Sequence, residues 1–161
     1  MGNPHRYHSP QTIGVRFVPQ RRWVPVGAGV SSKVRDMQGL HLTADLYNCR
    51  CVPAWLTDAD QLGHWCVAAV QAVGLQAVGQ LFYTFPATGL SPGGITATVL
   101  LAESHVCVHT WPEKKSVTLD VYVCNFGGDH SVRARVLMQA LVDRFAPEWT
   151  EQRSLDRGDA A

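Results

Sequence analysis

The sequence predicts an α+β fold, a two-layer sandwich in which an antiparallel sheet is covered on one face by two helices. Three observations carry this. Segments of period-two alternation outnumber helical ones; the order is strand, helix, several strands, helix, strand; and both helical stripes are long enough to cover one sheet face. At 161 residues the chain fits one domain with a substantial core. Hydrophobic residues make up 46% and charged ones 17%, a composition of globular rather than disordered or fibrous proteins.

Residues 1–38 stand apart. They hold Arg6, Arg16, Arg21, Arg22, Lys33 and Arg35 against Asp36, a charge of +5 that leaves −4 on the remainder, and four of the nine prolines. With no sustained apolar period they read as a basic, mobile extension rather than a nucleic-acid-binding or targeting segment. The run Ile13–Val18 is its one candidate edge strand. The domain is expected at 39–161. His41–Tyr47 alternates and reads as the first strand. Thr57 or Asp58 can cap a helix in which Leu62, Trp65, Cys66, Ala69, Val70 and Val73 recur at helical spacing, with Gly74 as its stop. Strands follow at about 76–84, 95–102, 105–110 and 116–124. A second helix starts near Asp129 to Ser131, with Val132, Val136, Leu137, Ala140, Leu141 and Phe145 as its apolar stripe. Pro147 ends it, and 148–154 can return as a last strand.

No stretch approaches the ~18 apolar residues of a membrane span, and Met1–Tyr7 lacks the layout of a secretory signal. Five cysteines without a framework spacing suit a reducing compartment. The expectation is a cytoplasmic protein without a membrane partner.

The densest chemistry lies in Glu103-Ser104-His105, then His109-Thr110-Trp111-Pro112-Glu113, then an alternating strand ending in Cys124. This pattern resembles the S-adenosylmethionine decarboxylase proenzymes, in their short bacterial and archaeal form, and the likeness extends from about Gly39 to Gly158. It implies a two-layer sandwich and a self-processing enzyme. Ser104 would attack the Glu103 carbonyl in an N-to-O acyl shift, and β-elimination would then cut the chain between Glu103 and Ser104, leaving a pyruvoyl group on the second fragment. That group forms a Schiff base with the substrate amine and takes the electron pair left as CO2 departs, the part pyridoxal phosphate plays elsewhere. Only Lys33, Lys114 and Lys115 exist, none in a recognisable pyridoxal-phosphate context. The resemblance further implies a homodimer of cleaved protomers with sites at or near the subunit interface, acting on S-adenosylmethionine for spermidine synthesis.

Self-attack by a serine requires a strained peptide, an activating base and stabilisation of the tetrahedral oxygen. In an unbroken strand Ser104 and His109 would face opposite sides, so Glu103-Ser104 is expected in a turn or bulge. By resemblance His109 assists processing and Cys124 reprotonates the substrate carbon. Alone, the first reads as a solvated strand histidine and the second as a buried strand cysteine; the joint spacing favours the functional roles, and a hairpin joining the last two central strands would bring Cys124 to Ser104. Glu113 matches the family's ribose-binding carboxylate, against a solvated turn residue beside Lys114 and Lys115. Phe82-Tyr83-Thr84-Phe85 resembles the stretch whose last aromatic stacks on adenine, so Phe85 is the candidate, otherwise a core residue. Counting back from Ser104 gives Leu90 instead. The same stretch leaves Ser91 or Thr96 as the active-site hydroxyl.

His105, Cys107 and His109 share one strand face and form a rival metal cluster, although zinc spacings usually differ, and no metal is expected. In Cys49-Arg50-Cys51 the thiols would point to opposite faces of a strand. Cys107 and Cys124-Asn125-Phe126-Gly127 depart from the family pattern. Pyruvoyl-dependent arginine or ornithine decarboxylases of the same fold, and an unprocessed non-catalytic paralogue, are the alternatives.

Overall fold

Seven strands form a single sheet in the order β1-β3-β4-β5-β6-β2-β7, antiparallel at every pairing. The computed structural model describes residues 16–17 and 38–158, residue 90 excepted. In chain order these are β1 (Arg16–Phe17), β2 (Gly39–Tyr47), α1 (Ala54–Thr57), α2 (Ala59–Ala72), β3 (Ala77–Thr84), β4 (Ile95–Leu101), β5 (His105–Trp111), β6 (Ser116–Cys124), α3 (Ser131–Phe145) and β7 (Trp149–Arg157). The Ile13–Val18 run contributes only the two residues of β1, which pair with Gly79 and Gln80 of β3. The rest of the basic extension lies outside the described residues. Among the described residues no helix is long and apolar enough to cross a membrane.

The central strands hold perfect alternation. Leu40, Leu42, Ala44 and Leu46 of β2, Ile95, Ala97, Val99 and Leu101 of β4, Val106 and Val108 of β5, and Val117, Leu119, Val121 and Val123 of β6 are all buried under the helices. Each fully buried Leu or Val adds about 1.5–3 kcal/mol. The register that puts these residues inward puts Thr96, His105, Cys107, His109, Asp120, Tyr122 and Cys124 on the opposite face, which none of the described helices covers.

Asp58 starts α2, its side chain accepting from the Gln61 N–H at 2.9 Å, and Gly74 at φ 75° follows its end. The α3 stripe differs from the sequence reading. Ala134, Leu137, Met138, Leu141, Val142 and Phe145 are buried, whereas Val132 and Val136 are 70% and 53% exposed. A helix buries a stripe little more than ~100° wide, and the one containing Met138 and Val142 removes more apolar area than one containing the two valines. Cys49-Arg50-Cys51 is not strand either. β2 ends at Tyr47, Asn48 turns the chain at φ 51°, and both thiols line one cleft with Lys115 and Glu148.

Thr110, the one buried polar side chain among the described residues, ties the layers together. Its hydroxyl donates to the Leu56 carbonyl of α1 at 2.7 Å and accepts from the Ile95 N–H at 2.8 Å. Beside it the start of β4 runs so close that a Cβ on Gly94 would stand 2.0 Å from the Thr110 carbonyl oxygen. Gly93, at φ 84°, leaves the same kind of space for the carbonyl of Phe85. These approaches fix the β3–β4 loop against the end of β5.

Candidate active site

The chain leaves β4 at Leu101 and re-enters the sheet at His105, so Glu103 and Ser104 lie in the connecting turn, outside ladder geometry. The turn closes on a bond from the Leu101 N–H to the Ser104 carbonyl at 2.9 Å. Antiparallel pairing of β5 with β6 sets His105 opposite Tyr122, which delivers the end of β6 to the turn. The Cys124 N–H donates to Ser104 Oγ at 2.9 Å. The serine hydroxyl is therefore oriented by an amide N–H, beside a half-buried thiol. The cleft here, about 180 Å³, is lined by Glu103, Ser104, Cys124, Gly74, His130 and Arg133, among others. The last two were not singled out from sequence. Asn125 Oδ1 accepts the His130 N–H at 2.9 Å, within the segment that departs from the Cys-Gly pattern.

The remaining site residues gather at the opposite end of β5. Phe85, Ser91, Thr96, His109 and Glu113 line a second cleft of about 380 Å³. Thr96 Oγ1 and His109 Nδ1 are hydrogen-bonded at 2.8 Å, and Ser91 Oγ donates to Glu113 Oε2 at 3.0 Å. Both candidate hydroxyls thus line this cleft, each with its own partner. The Phe85 ring is half exposed and meets Tyr83 edge-on at 5.2 Å. Leu90 lies outside the described residues. Five residue-to-residue steps of extended chain take Ser104 to His109, roughly 16 Å along the strand. Within one chain the two do not meet.

His105, Cys107 and His109 share the uncovered face as read from sequence, but each engages a neighbouring strand. His105 packs on His41 and Tyr122, Cys107 Sγ donates to Thr98 Oγ1 at 3.5 Å, and His109 joins Thr96. Among the described residues no three His, Cys, Asp or Glu side chains converge as a metal site. The His105 pKa lies below its ordinary 6.5, first because burial penalises the imidazolium, then because of His41; Asp120 opposes the shift and Arg157 adds to it. Burial pushes the Cys66 thiol up to about 12 and Cys49 to about 11, which makes both poor nucleophiles.

A two-layer α+β domain with a serine in a turn, its hydroxyl held beside a thiol, has the parts of a self-cleaving decarboxylase precursor. Residues 40–158 match the family model described as S-adenosylmethionine decarboxylase, and the chain belongs to that family. It is 36% identical over 120 residues to an S-adenosylmethionine decarboxylase proenzyme of Hydrogenobaculum sp. (strain Y04AAS1), spanning 74% of this chain and 81% of that one. A proenzyme of the same description from Archaeoglobus fulgidus is 32% identical over 120 residues, which cover 74% of this chain and 97% of the relative. Among solved structures, the adenosylmethionine decarboxylase of Aquifex aeolicus VF5 superposes with a TM-score of 0.66 at 29% identity, covering 78% of this chain and 95% of that one.

Proposed function

We propose that this protein is a carboxy-lyase that cuts itself between Glu103 and Ser104 and then converts S-adenosylmethionine to decarboxylated S-adenosylmethionine and CO2, the aminopropyl donor for spermidine. The observation that carries this reading is the Ser104 hydroxyl, held in a turn by the Cys124 N–H. Ser104 fits the precursor of a pyruvoyl group: it lies outside the ladder, its Oγ is fixed, and an open cleft adjoins it. Once formed, the group supplies an electron sink for the pair released as CO2 leaves. Cys124 then has the work of returning a proton to the substrate carbon, which its position next to residue 104 supports. Glu113 accepts the ribose hydroxyls, and Phe85 offers an exposed ring face to the adenine.

The separation of the two clefts supports a homodimer. His109 and Glu113 act on Ser104 chemistry only if a second copy brings its far end of β5 to the serine end of the first, and the uncovered polar face of the sheet is the surface on which two copies would meet. His109 then serves processing across the interface, with Thr96 orienting its ring. The protein is assigned to the cytoplasm, where the thiols Cys49, Cys51, Cys66, Cys107 and Cys124, all unpaired, stay reduced.

The test is a CO2-release assay offering S-adenosylmethionine, arginine and ornithine in parallel, with intact-mass analysis of the same preparation. Two fragments and turnover of S-adenosylmethionine are expected. A single full-length mass after prolonged incubation would overturn self-processing, and preference for arginine or ornithine would overturn the substrate.

A further inference from the structure

We infer that Arg133 is the receptor for the carboxylate that self-scission creates at Glu103, and that it promotes the elimination step by stabilising this leaving group. The inference rests on the self-processing reading above and adds a residue to it. Among the described residues Arg133 is the one lysine or arginine lining the cleft that holds Glu103, Ser104 and Cys124. It sits in the first turn of α3, where the helix dipole disfavours a cation; that turn holds no acidic residue, and the Asp129 carboxylate just before it is taken up by the Ser131 N–H at 2.8 Å. Packing does not account for it, because the side chain is exposed. Its Nη1 makes two long contacts, 3.3 Å to the Gly74 carbonyl and 3.4 Å to His130 Nδ1. No carboxylate lies within ion-pair distance of it among the described residues. The guanidinium is thus held at the cleft, close enough to Gly74 that a Cβ there would stand 3.8 Å from its Cζ, and among the described residues only its Nη1 is engaged.

The chemistry says which carboxylate these donors suit. After Ser104 Oγ attacks the Glu103 carbonyl carbon and the acyl group moves from nitrogen to oxygen, transfer of the Ser104 Cα proton to His109, the base of the processing reading, forms the Cα=Cβ bond and breaks the Cβ–Oγ bond. The electron pair and the former serine oxygen depart with Glu103 as a carboxylate, and water then displaces the residue-104 nitrogen as ammonia. Negative charge therefore develops on Glu103 in the transition state and persists in the product, the case in which a fixed cation lowers a barrier. The substrate carboxylate is the opposite case. Its charge disappears as CO2 forms, so a guanidinium fork clamped on it would stabilise the ground state and slow the reaction.

The experiment follows self-processing of freshly purified full-length chains by intact mass, with aliquots denatured in hydroxylamine to split any ester joining Glu103 to Ser104. Wild type is expected to yield two fragments with little hydroxylamine-sensitive material. Arg133→Ala and Arg133→Gln are expected to process at least ~10-fold more slowly and to accumulate the ester, and Arg133→Lys to regain part of the rate. Position 133 is exposed, so unfolding is not expected, and the glutamine variant carries the same expectation should alanine fail to fold. Wild-type rates in both neutral variants would overturn the inference while leaving self-processing intact. Slow processing without an ester pool would also overturn it, since the defect would then precede elimination. A wild-type chain that never splits would overturn the underlying reading instead.

Discussion

Ser104 and Cys124 lie twenty positions apart in the chain and one hydrogen bond apart in space, and the donor of that bond is the backbone N–H of Cys124. The thiol is not needed to hold the serine. Processing and reprotonation should therefore separate on substitution of this one residue. Cys124→Ala is expected to split into two fragments, because an alanine N–H still orients Ser104 Oγ. Its decarboxylation should fall by about 10²-fold or more with loss of the proposed proton donor. Intact mass and CO2 release from the same sample check this. An uncut Cys124→Ala that remains folded would mean that the sulfur itself serves the acyl shift. The same reasoning gives Thr96 and Ser91 different parts, the first bonded to His109, the proposed processing histidine, and the second to the candidate ribose carboxylate.

Strand positions were legible in the sequence because the sheet has one covered face, so apolar residues alternate without interruption from β4 to β6. The same alternation forced Ser104 out of the ladder. Legibility failed where the competing choices were energetically similar. Val132 and Val136 sit at helical spacing with Leu137 and Leu141, and only the sheet beneath α3 decides which of two overlapping stripes is buried. A strand would send the Cys49 and Cys51 thiols to opposite faces, but the turn that Asn48 makes at φ 51° without a glycine puts both residues beside one cleft. Arg133 left one signal, a basic residue in the first turn of a helix that has no acidic residue there. The uncovered face also carries a pH dependence. His105 is held below its ordinary pKa among His41, Asp120, Tyr122 and Arg157. The unfolded chain therefore binds the proton more readily than the folded one, and stability that is present above the unfolded pKa is lost as pH falls through it. Between about pH 7 and pH 5, on either side of the unperturbed histidine pKa, wild type should lose thermal stability more steeply than His105→Gln. Parallel melting curves of the two proteins would contradict this.

At the scale of the whole molecule, the division of the site between two ends of β5 is the feature that motif reading could not supply. Glu103-Ser104-His105 and His109 to Glu113 are neighbours in the chain, and extended backbone turns that closeness into about 16 Å of separation. A strand cannot fold back on itself, so on the proposed reading the two halves of the chemistry would meet between copies. This makes complementation the decisive measurement. Ser104→Ala chains lack the precursor serine but keep Glu113, whereas Glu113→Ala chains keep the serine but lose the ribose carboxylate. Each is expected to be inactive or nearly so alone. Co-expressed at equal levels, random pairing makes half the dimers mixed, and each mixed dimer holds one site with Ser104 and Glu113 both intact. Activity should return to roughly a quarter of wild type. The rescued fraction should contain the Glu113→Ala chain in cleaved form beside intact Ser104→Ala chain. Activity no greater than the sum of the two separate variants would show that each site is built within one protomer, and the reach from His109 to Ser104 would then require β5 to break.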